Sequence, residues 1–241
     1  MINRVLIRLK VVQIIYAYYK NSGKSLKAAE DEMFFSLSKA YDLYSYLLLL
    51  MPGVTHYAAD RISFLSMKVR PTESDRNPNL KFVENRFIAQ LEQIEQLVKF
   101  SEKSKLNWVD NSDFLRRLLD KIEESDTYKE YMASGESSYA EDRELWRKLY
   151  KEFVFENEEL DDLIEEHSLY WNDDKAIVDT FVLKTIKRFA EDADSDTLLL
   201  PEYKDDSDKE FACKLFRNAI TNAEEYRKLM SENSKNWDMS R

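Results

Sequence analysis

Asn3-Arg4-Val5-Leu6-Ile7-Arg8-Leu9-Lys10-Val11-Val12-Gln13-Ile14-Ile15-Tyr16-Ala17-Tyr18-Tyr19-Lys20 is the stretch whose periodicity decides the fold class. Val5, Leu9, Val12, Tyr16 and Tyr19 recur at steps of four and three, which draws one stripe along an α-helix. Ile7, Val11, Ile14, Ile15 and Tyr18 widen the apolar surface, so much of this helix is expected to be buried. Asn3 is the expected N-cap and Gly23 lies past the C-terminal end. Tyr16 and Tyr19 fall on the stripe and are expected to pack in the core, although exposed tyrosines at such a place would suit base stacking.

The same helical pattern continues outward. A second helix is expected after Ser25 as far as Met51, broken or kinked by Pro52-Gly53, and a third over residues 54–69. Residues 70–79, with two prolines, read as a loop. Residues 81–100 read as a helix with Phe87, Leu91, Ile94 and Val98 as its core stripe. A further helix covers residues 114–132, with a break near Ser125, and residues 135–138 form a linker. No segment alternates with period two for long enough to make a strand. The chain has only 3 Gly and 4 Pro in 241 residues, too few for the many tight turns of a sandwich or barrel. The expected fold is therefore an all-α multi-helix bundle.

Shifting the second half by about 66 residues reveals an internal repeat. Lys148-Leu149-Tyr150-Lys151 falls on Lys214-Leu215-Phe216-Arg217, Glu158-Glu159-Leu160 on Glu224-Glu225-Tyr226, and Leu163-Ile164 on Leu229-Met230. Trp171 falls on Trp237. Each copy reads as helix, short turn, helix and an anchoring tryptophan. After the first copy, residues 175–189 form an amphipathic helix opened by Asn172-Asp173-Asp174. The second copy has no equivalent, and the sequence is expected to be a fragment cut before a further helical segment. These features divide the chain into an N-terminal region, 1–134, and a repeat region, 139–241.

Composition excludes several classes. Hydrophobic residues at 44% and charged residues at 34% describe a globular chain. A single cysteine, Cys213, rules out an internal disulfide and a multi-thiolate zinc site, and reads as a small buried apolar residue. The greasy run Tyr46–Met51 is too short to span a bilayer, and no signal peptide is visible, so the expectation is a cytoplasmic protein with no membrane partner. His56 and His167 lack a third ligand at a metal-site spacing. No Gly-rich phosphate loop and no nucleophile–base pair occur, so no cofactor and no catalytic residue are expected.

Charge is unevenly distributed. Six cations and no carboxylate lie between Met1 and Ala29, so with a net charge of −10 the remaining chain carries −16. Arg4 and Arg8 are one turn apart, whereas Lys10 points about 160° from Arg8 around the helix. Cations at a helix N-terminus, where the macrodipole is already positive, make an anion site for which RNA phosphate is a natural ligand. Pairing of Arg4 and Arg8 with acids of the body is the alternative.

The run Arg8-x-Lys10-Val11-Val12-Gln13-Ile14-Ile15-Tyr16-Ala17-Tyr18 resembles the first helix of the NusB transcription antitermination factors. The repeat copies resemble the later helix pair of that family, with Phe153 where a small residue is common, and Ile177-Val178-Asp179 resembles its following helix. Residues 77–88 look like the long variant with extra central helices. Two features depart from the family: the tip has fewer arginines, and the closing helices are expected beyond Arg241. The resemblance implies a non-enzymatic factor that assembles with small-subunit ribosomal protein ten (NusE) on boxA-like RNA within the transcription elongation complex. It gives Arg4, Arg8 and Lys10 the RNA contacts, places Tyr16 near the RNA surface, and makes Asp179 a partner contact. A helical scaffold that binds only protein is the alternative. An appended domain of an RNA methyltransferase is rejected, because no methyl-donor site is visible.

Overall fold

The computed structural model describes residues 1–21, 25–104, 106–171 and 173–233. Expectations for Gly23, Asn172 and Trp237 lie outside the described residues. The fold is all-α. In chain order the helices are α1 (Arg4–Lys20), α2 (Leu26–Ser66), α3 (Glu73–Arg76), α4 (Arg86–Glu92), α5 (Glu95–Ser104), α6 (Ser112–Glu124), α7 (Asp126–Ala133), α8 (Tyr139–Leu149), α9 (Glu158–His167), α10 (Lys175–Arg188), α11 (Ser195–Leu198), α12 (Asp206–Thr221) and α13 (Ala223–Asn233). A 3-10 turn (Val109–Asn111) precedes α6, and a π-helical turn (Tyr150–Val154) follows α8. Among the described residues the extended backbone pairs only at an isolated bridge, Ile2 with Tyr203.

The chain divides into two compact units, along a different line from the regions 1–134 and 139–241 read from the sequence. One unit is Met1–Tyr41 with Pro201–Arg241, and the other is Asp42–Leu200. Contacts far apart in sequence, which no local pattern reveals, tie the two ends of the chain into the first unit. The Met1 amino group donates to Pro201 O, and Ile2 N donates to Glu202 O at 2.7 Å. Arg217 donates both Nε and Nη2 to Glu30, at 3.0 and 2.8 Å. Glu30 is buried, and the Arg217 guanidinium holds its carboxyl below the usual carboxylate range. A planar guanidinium fits such a two-oxygen contact, and a lysine would not reproduce it.

In the second unit the hydrophobic run after Asp42 becomes a helix buried on nearly all sides. Leu43, Tyr44, Tyr46, Leu47, Leu48 and Met51 are each 0% exposed. Pro52 neither ends nor divides it: the two helices expected on either side are one 41-residue helix with Pro52 inside. Proline removes one helical hydrogen bond and crowds the preceding turn, but here packing outweighs that cost. Thr55 Oγ1 donates to Met51 O at 3.0 Å, and Trp108 closes on Gly53, where a Cβ would come within 2.9 Å of Trp108 Cβ. Trp108 Nε1 donates to Tyr46 O at 2.9 Å, and its ring stacks on Tyr46 at 4.2 Å.

The helix expected over residues 81–100 begins only at Arg86 and is interrupted after Glu92. Asn85 caps it, accepting from Ile88 N at 3.1 Å. The preceding segment is held elsewhere: Lys81 Nζ donates to Tyr131 O at 2.8 Å, and Arg86 N donates to Asp142, which also accepts from the Tyr131 hydroxyl at 2.6 Å. Residues 70–79 contain a short helix opened by a capping box between Thr72 and Asp75. The break expected near Ser125 is present, and Ser125 caps α7 by accepting from Tyr128 N at 3.1 Å.

Candidate nucleic-acid interface

α1 has the expected bounds, and Asn3 Oδ1 accepts from Val5 N and Leu6 N at 3.0 and 2.9 Å. The helix buries the flank expected to widen the stripe, Ile7, Val11 and Ile14, and not the stripe itself. Leu6, Ile7, Lys10, Val11 and Ile14 are buried, in a helix that packs on α12. Val5, Val12, Tyr16 and Tyr19 face outward, with Val12 67%, Tyr16 66% and Tyr19 51% exposed. The physical reason is that α1 is apolar on both sides, so its own periodicity cannot choose the face that packs. The choice falls to α12, whose buried residues are Ala212 and Phe216.

This choice of face reassigns the expected site residues. Lys10 is only 1% exposed, so it does not present its charge to a surface ligand. Arg4 and Arg8 are exposed and sit over the Phe211 ring, at 4.9 and 5.4 Å from its centroid. Arg4 Nε also lies 3.8 Å from Asp208, so the alternative of pairing with an acid holds for Arg4, at long range. Tyr16, expected in the core, is a surface side chain with Lys20 Nζ 5.6 Å from its ring centroid. Tyr18 and Tyr19 meet edge to face at 5.5 Å. Arg4, Arg8, Tyr16, Tyr19 and Lys20 therefore share the exposed side of one helix about 24 Å long from Arg4 to Lys20. No acidic residue lies in its first turn.

Asp179 is not a surface contact, which corrects its expected role with a partner. It is 1% exposed and accepts from the Tyr150 hydroxyl at 2.6 Å and from Lys175 Nζ at 2.9 Å. Lys175 also donates to Val154 O at 2.9 Å and lies 3.2 Å from Asp161. Thus α10 supplies a cation and a carboxylate one turn apart that close the end of the π-helical turn. Burial pushes the Asp179 carboxyl above its ordinary value, against the pull of Lys175 and Tyr150 in the other direction. Burying a charged pair is tolerated when each member is hydrogen-bonded, and this arrangement is a structural clamp.

His56 pairs with Glu92, and His167 Nε2 lies 3.4 Å from both Tyr46 Oη and Asn111 Nδ2. Among the described residues no group of three His, Cys, Asp or Glu side chains is placed to hold a metal ion. Cys213 is half-buried beside Glu30, and burial raises its thiol pKa. No described helix is long and apolar enough to cross a membrane.

The sequence pattern did not single out Phe211, and it named Tyr19 but assigned it to the core. The available signal was the second apolar stripe of α1, Ile7, Val11 and Ile14, which competes with the tyrosine stripe for the core. The chain matches no family model, and no curated protein or solved structure is similar to it.

Proposed function

We propose that the chain is a non-enzymatic RNA-binding factor of the NusB antitermination type, and that RNA runs along the exposed face of α1. The observation that carries this reading is the exposure of Tyr16 and Tyr19 beside Arg8 and Lys20 on one helix face. Aromatic rings offer bases a stacking platform worth about 1–3 kcal/mol per base, and flanking cations neutralise phosphates. Arg4 and Arg8 rest on Phe211, which keeps the two guanidinium groups side by side rather than sweeping through solvent. In this reading ribosomal protein ten and the elongation complex are the partners, and boxA-like RNA is the ligand. Base contacts supply sequence choice, and phosphate contacts supply register.

The test is a fluorescence-anisotropy titration with a short boxA-like RNA at low and moderate salt, with and without ribosomal protein ten. Binding should weaken as salt rises, prefer boxA over a scrambled RNA, and tighten with the partner. Arg4→Ala with Arg8→Ala should reduce the salt slope by about two phosphate contacts. Salt-independent or absent RNA binding by the folded chain would overturn the reading. The second reading, a scaffold that binds only protein, is favoured by one observation: Val5 and Val12 stand exposed on the same face, where RNA has no use for them.

A further inference from the structure

The second unit contains a cleft of about 670 Å³ that the RNA reading does not use. One wall is α2. Its lining positions include Leu49, Pro52, His56, Asp60 and Phe64, which recur at steps of three and four and so form one continuous stripe of the helix. That stripe is about 22 Å long at the α-helical rise. Leu97 and Val98 of α5 line it as well, together with the buried Trp108 and Leu115. The close approach of Trp108 to Gly53 sets the depth, since any side chain at position 53 would displace the indole.

Apolar surface continues out of the cleft rather than ending inside it. Phe64 is 72% and Val109 78% exposed at the mouth, and Met67, just beyond the end of α2, is 78% exposed. A compact small molecule would leave these side chains wet. A groove of this length between two helices, with an apolar lining and apolar lips, matches the mode in which an amphipathic helix lays its apolar face into a groove.

The charges at the mouth fix the character of that helix. Of the lining groups, the Arg61 guanidinium is held by Asp120 at 3.0 Å and by Glu123, and the His56 ring meets Glu92. Among the described residues, the exposed carboxylates of Asp60 and Glu102 have neither a hydrogen bond nor an ion pair. The groove therefore offers apolar lining and unpaired negative charge together. We infer that this cleft docks an amphipathic helix of a partner protein, with apolar anchors at i, i+3 or i+4 and i+7 and with lysine or arginine flanking them.

The test uses the full chain and two fluorescein-labelled 18-residue helical peptides. Both carry leucine at the anchor positions; one has lysine and its twin has glutamate on the flanks. The lysine peptide should bind and the glutamate twin should not. Asp60→Lys with Glu102→Lys alters only exposed side chains, and it should weaken the lysine peptide at least tenfold and admit the glutamate twin. Phe64→Ser with Val109→Ser should weaken both charge arrangements. RNA binding should persist in all these variants and be unchanged in Phe64→Ser with Val109→Ser, so failure here and failure of the RNA reading are separable. Equal binding of the lysine peptide to the charge-reversed variant would mean attraction to the acidic chain as a whole and would overturn the inference. So would occupancy of the cleft by a short alkylammonium ion when neither peptide binds.

Discussion

The two copies of the internal repeat differ in what covers them. Their first helices behave alike: Tyr150 in one and Phe216 in the other, at matching positions, are both fully buried. Their second helices do not. In α9, Leu160 and Ile164 are buried, whereas the matching Tyr226 and Met230 of α13 are exposed, Met230 to 53%. The ion pairs differ in the same sense. Glu159 of α9 reaches Arg117 and Lys121 of α6, and Asp161 reaches Lys175 of α10. On α13, among the described residues, Arg227 and Lys228 pair only within their own helix, with Glu224 and Glu232. The repeat pattern specifies a helix, a turn and a helix. Whether the second helix is clamped depends on neighbours that the repeat does not encode.

The sharpest way to break this contrast is at the clamp. Asp179→Ala leaves Lys175 and the Tyr150 hydroxyl buried without their shared acceptor, and should cost about 4 kcal/mol in urea unfolding. Next is the matched pair of truncations. Ile164→Ala should cost about 3 kcal/mol, from lost burial and the cavity left behind. Met230→Ala should change stability by less than about 0.5 kcal/mol, as a surface substitution does. Equal costs would show that α13 is as firmly packed as α9.

Two of the buried carboxylates, Glu30 and Asp179, sharpen the comparison through pH. Arg217 holds Glu30 below its ordinary value of 4.5, so the folded chain binds that proton less readily than the unfolded chain. Its stabilising contribution is present above 4.5 and is lost as pH falls through the lowered value. Burial raises Asp179 above its ordinary value of 3.8, so its contribution runs the other way and declines as pH rises from 3.8 through the raised value. In stability measured against pH, Glu30→Gln should flatten the loss on the acid side, and Asp179→Asn should remove the opposing slope. The smallest effect should appear in hydrogen exchange, where α13 amides should exchange faster than those of α9.

Much of the fold was legible wherever local chemistry decides it. Asn3 caps α1 as expected, and Ser125 caps the helix that starts at the expected break, because their side chains satisfy amide groups that any helix start leaves free. Legibility ended where tertiary contacts choose between local options. Pro52 looked like a breaker, but Trp108 packs against the turn that follows it. The resemblance made Asp179 a partner contact, whereas its hydrogen-bond partner is the Tyr150 hydroxyl 29 residues away. On α1, Arg4 and Arg8 were identified as surface cations from the charge pattern. The tyrosines beyond them were assigned to the wrong side, because an all-round apolar helix does not reveal which side will pack.

That exposed side of α1 is the centre of the account, and photo-crosslinking tests it most directly. A boxA-like RNA bearing 4-thiouridine should be irradiated with the full chain and the linked peptide identified by mass spectrometry. The account predicts crosslinks at Tyr16 or Tyr19 that disappear in Tyr16→Ala with Tyr19→Ala, while the circular dichroism of that variant stays helical. Crosslinks confined to the Asp42–Leu200 unit, or none from a folded chain at low salt, would contradict it.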